Sequence, residues 1–426
     1  MTLPSPRLLI VDQSLRDMAG HHYEYDLALF RAATAASVPT VIGAHASVRP
    51  LDLLGASVRP WFQRAWYEAR STPAAPSRFR WLPGRIRWAL GRLRRALSSS
   101  NKTSTRIKSG SKLGDEVFEL IFTEQLGPTD HVLVHTFSIP ELDSLIELAR
   151  NEHALPLMHV VFRRDAEEPS VAIGPNGGIR GSLTRLASSP APMRTMRLYA
   201  DTEDLARQHG ELAPGLTVGT LPIPHCLPSD RTSGLPRKAG PLRIVYLGDA
   251  RGEKGFHLLP DLVDALADKL FPDARARFVF QANVSVGGDS PVLSEARRRL
   301  AAYPSAQVEL MLEQLEISAF HGLLRSADIV VLPYDRHAYA RRSSGILIQA
   351  LAAGRVVVVP SQTWMARQVD SGASLLFEDP GSLSEAVMTA VGQWPSLWKR
   401  ADARAPFWQA QHDAALFIRQ LLRASR

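Results

Sequence analysis

Ala327-Asp-Ile-Val-Val-Leu-Pro-Tyr334, followed by Arg341-Arg-Ser-Ser-Gly-Ile-Leu-Ile-Gln349-Ala-Leu-Ala-Ala-Gly354 and Arg355-Val-Val-Val-Val-Pro360, reads as strand, loop, helix and strand. Ile329 to Leu332 is an unbroken apolar run of strand length, as a strand covered on both faces requires. Ser343, Ser344 and Gly345 open a helix whose apolar residues Ile346, Leu347, Ala350 and Leu351 recur at helical spacing, and Gly354 closes it. The free N–H groups and positive dipole end of such a helix attract anions. Gly345 allows a phosphate close to the backbone, and Arg341 and Arg342 can supply charge. An ordinary βαβ unit with a serine N-cap gives the same pattern, so this segment alone leaves both readings open.

A second segment narrows the choice. In Leu242-Arg-Ile-Val-Tyr-Leu-Gly248-Asp-Ala-Arg251-Gly-Glu253-Lys254-Gly255, a buried strand reaches Gly248 and a short basic loop leads to a helix beginning near Gly255. Ligands of open α/β sheets sit beyond the carboxyl ends of the strands. Arg251 and Lys254 are therefore expected in the same crevice as Ser344 and Gly345. Two cations facing a helix N-terminus suit a leaving nucleoside diphosphate.

These two segments resemble the donor half of retaining glycosyltransferases with two Rossmann-like domains, the GT-B type, and specifically the large family 4 class. That class carries Gly-Arg-x3-Glu-Lys-Gly after the first strand, matched here by Gly248, Glu253, Lys254 and Gly255. It carries Glu-x7-Glu-Ala-x-Ala-x-Gly-x-Pro-Val-Val around the later helix, matched by Ala350, Ala352, Gly354, Val357 and Val358. Asp249 replaces the arginine, Val356 the proline, and Arg341 and Gln349 the two glutamates. Gln349 can still hydrogen-bond a ribose, whereas Arg341 cannot act as a carboxylate.

The resemblance implies metal-independent retaining transfer of a sugar from a nucleotide-diphosphate donor to a hydroxyl acceptor on a glycan or lipid carrier, with no cofactor beyond that co-substrate. Arg251 and Lys254 would take the charge of the departing diphosphate. Gly248, Glu253, Tyr334, Arg341, Arg342, Ser343, Ser344, Gly345, Ile346 and Gln349 would form the donor site. Ribose and base would lie between Gln349, the loop after Phe278–Ala282 and the end of the Val308–Leu312 strand. A non-catalytic nucleotide-sugar-binding scaffold and a GT-B epimerase are the alternatives. A glycosidase needs a pair of carboxylates across the scissile bond, and no pair stands out.

Length and composition fit two domains: 426 residues, 45% hydrophobic and 22% charged. The reading expects an acceptor domain over residues 1–226, a linker over 227–240, a donor domain over 241–404, and a terminal helix that can cross back. No apolar run reaches membrane-spanning length, and strand Leu8–Val11 begins without a preceding secretion signal. The single cysteine, Cys226, sits among Pro222, Pro224 and Pro228 and reads as structural. A cytoplasmic protein, possible at the inner membrane face, is expected.

Charge is unevenly placed. Residues 59–112 hold 14 Lys or Arg against one acid, Glu68, whereas the whole chain carries +8. Ile86, Ala89, Leu90, Leu93, Ala96 and Leu97 follow helical spacing within it, with Trp81 and Trp88 close by. Such a basic amphipathic helix suits an anionic membrane surface, and a solvated flap over the cleft is the other reading. No motif supports nucleic-acid binding. Ser98 to Lys112 has the composition of a disordered segment.

In the first domain, strands alternating with helices predict a parallel sheet. Its strand-end loops supply the acceptor-side candidates: Gly20, His21 and His22 in the loop expected from Asp12 to His22, then His135 as a catalytic candidate, then Arg163, Arg164 and Asp165. His159 lies within a strand and reads as a packed core residue. A helix from about Phe407 to Arg423 closes the chain.

Overall fold

Residues of the first strand alternate between two cores. Leu9 and Val11 join one apolar cluster and Leu8 and Ile10 the other, because successive side chains of a strand point to opposite faces. The computed structural model describes residues 5–18, 20–49, 57–66, 112–152, 154–227, 240–284 and 290–424. Two parallel sheets organise them, both helix-covered.

The N-terminal sheet has strands β1 (Leu8–Asp12), β2 (Thr40–His45), β3 (Val58–Phe62), β4 (His131–Val134), β5 (Leu157–Phe162), β6 (Met196–Ala200) and β7 (Val218–Thr220), in the order β3-β2-β1-β4-β5-β6-β7. The C-terminal sheet has β8 (Leu242–Tyr246), β9 (Ala276–Gln281), β10 (Val308–Met311), β11 (Ile329–Val331), β12 (Val356–Pro360) and β13 (Ser374–Phe377), in the order β10-β9-β8-β11-β12-β13. In each sheet the order reverses at the first strand of the domain, between β1 and β4 and between β8 and β11. Crevices of α/β sheets open at such switch points. The expected doubly wound pair of Rossmann-like domains is therefore present.

Several elements differ from the sequence reading. Val58–Phe62 is an edge strand paired to β2, so the basic stretch begins inside the sheet. Pro60 and Arg59 interrupt its apolar pattern, while Trp61 packs on the core and donates to Glu116 O at 2.9 Å. The predicted amphipathic helix near 84–97 lies outside the described residues, as does the Ser98–Lys112 segment apart from Lys112. Gly20, His21 and His22 form the first turn of a helix, Gly20–Ala35, and not a loop. After Gly255 the chain makes a short 3-10 turn before the Leu259–Leu270 helix.

The closing helix is two helices, Trp394–Gln411 and Ala414–Arg423. Asp413 breaks the run by capping the second one, its carboxylate accepting from Ala415 N. The first packs on the C-terminal domain through Trp408. The second lays Ala414, Phe417, Ile418 and Leu421 on the N-terminal core beside Tyr23 and Tyr25. No helix among the described residues is long and apolar enough to cross a membrane.

Candidate active site

The two basic turns of the C-terminal domain meet. Gly248, at φ +99°, ends the β8 run, and a Cβ there would lie 2.8 Å from Lys254 Nζ and 2.8 Å from Ile346 Cδ1. Lys254 therefore stands over Gly248 beside the start of the Gly345–Ala352 helix. Gly255, at φ +71°, backs so closely onto Pro333 that a Cβ would come within 1.7 Å of its carbonyl oxygen. Only glycine tolerates both that approach and that left-handed backbone. Asp335 N completes the junction by donating to Glu253 O at 3.0 Å.

Ser344 caps the helix: its hydroxyl accepts from Leu347 N at 3.2 Å. The amides of Gly345 and Ile346 belong to the first turn, which has no helical acceptor for them. A Cβ on Gly345 would meet nothing within 4 Å. Tyr334 lies beneath, with Lys254 Nζ 5.9 Å from its ring centroid. Burial, and then the charge of Arg251, lower Lys254 to about 7, only partly offset by Asp249 and Glu253. Arg251 pairs with Glu253 at 3.2 Å. The Gly248 turn is braced from β9: Gly248 N donates to Gln281 Oε1, Gln281 Nε2 to Asn283 Oδ1, and Asn283 Nδ2 to Asp249 Oδ1, each at 2.8 Å. Neither Gln281 nor Asn283 belongs to a motif, and only their place at the end of a strand beside β8 could have suggested them.

Arg341, Arg342, Ser343 and Gln349 face the N-terminal domain instead. Arg341 Nη1 lies 3.0 Å from both Asp165 Oδ2 and Glu167 Oε2. Its carbonyl accepts from Thr202 Oγ1 at 2.9 Å. Arg342 pairs with Glu168 at 3.5 Å and stacks over Tyr339. Ser343 Oγ donates to Asp201 Oδ2 at 2.5 Å. Gln349 Nε2 donates to Glu24 Oε2 at 2.5 Å, and Glu24 Oε1 is bonded to His321 Nε2 at 2.8 Å. Glu24, His321 and Gln349 are all buried. Thus the two positions occupied by glutamate in the resembled motif hold hydrogen-bond donors here, and each donates to a carboxylate of the other domain.

On the N-terminal side, His22 Nδ1 lies 2.7 Å from Asp12 Oδ2 at the end of β1. Gly20 opens the helix at φ +75°, close enough to the other domain that a Cβ would meet Gln314 Nε2 at 2.9 Å. His21 is partly open to solvent. Crowding by protein, and then the charges of His22, Arg163, Lys254 and Arg251, push it well below the ordinary imidazole value. Those cations come from both domains, so the two halves of the candidate site converge at His21.

His135 is fully buried, with Nε2 3.0 Å from Asp26 Oδ1 and its ring stacked on Tyr25. Burial lowers it to about 4 and keeps it neutral. Its side chain is fully buried and offers no surface to a substrate. Arg163 stacks over Tyr25 and pairs with Asp201 at 3.4 Å, while Arg164 pairs with Glu168 at 2.5 Å. His159 is a core residue, bonded to His131 at 2.9 Å. Cys226 donates to Glu24 O at 3.3 Å, and burial pushes its thiol up to about 12, which suits the structural role. Asp12, Glu24, Asp26 and Asp201 were not singled out from sequence. Tyr23, Glu24, Tyr25 and Asp26 are all buried on this helix.

Two facing parallel-sheet α/β domains, each with its strand order reversing at its first strand, have the GT-B architecture. Residues 241–393 match the family model of glycosyl transferases group 1. Anabaena HepE, solved with UDP, superposes with a TM-score of 0.64 at 12% identity, over 97% of this chain and 98% of that one. The trehalose-6-phosphate enzyme of E. coli bound with UDP-2-fluoro glucose gives 0.61 at 14% identity, over 98% and 99%. Sucrose-phosphate synthase of Thermosynechococcus elongatus gives 0.59 at 14%, over 98% of each chain. No curated protein sequence matches the chain. The C-terminal domain thus resembles glycosyl transferases group 1, and the whole chain has the two-domain GT-B fold.

Proposed function

We propose that the protein transfers a sugar, with retention, from a nucleotide-diphosphate sugar to a hydroxyl acceptor in the cleft. The observation that carries this reading is the convergence of Lys254 Nζ, Gly248 and Ile346 at the N-terminus of the Gly345–Ala352 helix. Chemistry at this point is the departure of a diphosphate, and catalysis is stabilisation of the charge it develops. Lys254 and Arg251 approach that charge from one turn and the Gly345 and Ile346 amides from another. The protein's own cations would do the work of a metal there, so the reaction is metal-independent. UDP-glucose, bound in a HepE structure, is the first donor to test, and UDP, bound in another, the first product-like ligand.

The test is incubation with a panel of nucleotide sugars and detection of free nucleoside diphosphate, with NMR assignment of the anomeric configuration of the product. Release by the wild type identifies donor and enzyme together. Binding without release would leave a scaffold, and isomerised nucleotide sugar without an acceptor an epimerase. The basic stretch 59–112 is proposed to bring the enzyme to anionic lipid, where each basic residue contributes about 1 kcal/mol. Equal sedimentation with neutral and anionic vesicles would exclude that role.

A further inference from the structure

Three side chains at the N-terminal switch point turn lone pairs toward one another out of reach of solvent. Asp12 ends β1, Asp26 stands on the Gly20–Ala35 helix, and His135 follows β4. None of the three is exposed. One ligand atom from each, two carboxylate oxygens and an imidazole nitrogen, lies within 4.8 Å of the other two. His135 Nε2 is 3.0 Å from Asp26 Oδ1 and 3.8 Å from Asp12 Oδ2. The second Asp26 oxygen, Oδ2, is buried with no hydrogen-bond partner among the described residues. A carboxylate enclosed in this way is paired, protonated or bound to a metal.

The arrangement has the shape of a metal site as well as its composition. An ion held at about 2.0–2.2 Å by nitrogen and oxygen sets neighbouring ligand atoms roughly 3–3.6 Å apart, and the two His135 distances span that interval. Outer contacts fix the ligands. Asp12 Oδ1 accepts from Ser14 N at 2.9 Å, Asp12 Oδ2 also faces His22 Nδ1 at 2.7 Å, and His135 Nδ1 lies 3.2 Å from Thr136 Oγ1. A contact on Nδ1 turns Nε2 inward, as it does for a ligating imidazole. Magnesium and calcium prefer shells of oxygen, so the imidazole selects a transition ion. The set contains no thiolate, which separates it from sites for softer metals.

We propose that Asp12, Asp26 and His135 bind one divalent transition-metal ion of the zinc class. Two carboxylate charges match the dication, so the core keeps no net charge there. The ion ties the ends of β1 and β4 to the Gly20–Ala35 helix across the switch point. Its role is structural. It adds no step to the diphosphate chemistry proposed above and stands independently of the transferase reading. A proton shared by the two carboxylates is the competing occupant.

The test starts from tag-free protein stripped with a chelator and dialysed against Zn2+, with metal content read by atomic emission. The wild type should retain one ion per chain. Asp26→Asn and His135→Gln should each lose at least about 100-fold in zinc affinity, more than the roughly 10- to 100-fold of an outer-shell change. Saturating Zn2+ should raise the wild-type melting temperature by a few degrees, and millimolar Mg2+ should not reproduce that rise. Cobalt(II) in place of zinc should give visible bands without thiolate charge transfer; thiolate bands would place the ion at Cys226 and overturn the site. A stripped wild type that takes up no zinc overturns the proposal in favour of the shared proton. Uptake retained by both variants overturns it as well, because the ion then lies elsewhere. Should the variants not fold, anomalous scattering at the zinc edge from wild-type crystals decides. A peak in contact with His135 Nε2 supports the site, and a peak elsewhere overturns it.

Discussion

Arg341 reaches out of the loop that precedes the Gly345–Ala352 helix and lies 3.0 Å from Asp165 of the opposite domain. Glu167 receives the same guanidinium at 3.0 Å, and Asp201 holds Ser343 two residues on. The loop that precedes this helix is thereby fastened to strand ends of the N-terminal domain.

A charge exchange tests that fastening. Arg341→Asp and Asp165→Arg should each raise the donor KM several-fold and make it more sensitive to salt, since each sets like charges together. The double variant should recover most of the loss. Arg341 is about a third exposed, so the coupling should be modest, about 0.5–1 kcal/mol. Arg341→Asp abolishing turnover while Asp165→Arg is silent would place Arg341 on the donor itself.

Lys254→Ala should cost roughly 100- to 1000-fold in turnover with a melting temperature near that of the wild type, because the side chain is not fully buried and its proposed partner is the ligand. Turnover within a few-fold of wild type would mean that the diphosphate lies elsewhere.

Lys254 also gives the free protein a proton-linked binding site. With its ammonium lowered to about 7, it is largely neutral at pH 8. An arriving diphosphate raises it again, so binding takes up close to one proton there and weakens as pH climbs above 7. Calorimetry of UDP binding at pH 8 in two buffers of different ionisation enthalpy measures the uptake, and Lys254→Arg should remove it.

Gly255→Ala should destabilise the protein by more than about 1 kcal/mol, since the position needs both a left-handed backbone and the room taken by Pro333 O. Gly252→Ala, where a Cβ meets nothing within 4 Å, should stay within about 0.5 kcal/mol. Equal melting of the two variants would contradict the described turn.

Gln349→Glu places a carboxylate at hydrogen-bond distance from Glu24 inside a buried boundary. Melting should fall by several degrees at neutral pH and recover under acid conditions, where one shared proton relieves the repulsion. An unchanged melting temperature would show that Glu24 and Gln349 part at no cost.

The meeting of the two turns in the C-terminal domain was legible because its parts are local. Gly248, Lys254 and Gly255 lie within one turn, and Ser344 and Gly345 lie at a helix start, so spacing alone brings them together. What stayed hidden depends on the other domain. Nothing in the neighbours of Arg341 or Gln349 announces Asp165 or Glu24, because those contacts follow from how two sheets face each other. His135 misled for a related reason: a strand end indicates the cleft, but Tyr25 and Asp26 of the following layer cover it. The edge strand Val58–Phe62 was lost within a charge pattern that extends well past it.

Ile223 N donates to His412 Nδ1 at 2.9 Å. One residue lies where the chain leaves the first domain, and the other where it returns between its last two helices. Burial, and then the neighbouring His225, lower His412 to about 4, so its ring nitrogen remains an acceptor at neutral pH. Two covalent passages stapled at one point leave the lobes little freedom to slide or separate. The motion they still permit is rotation about a pivot through that bond, so whatever enters or leaves the cleft passes on the side away from it.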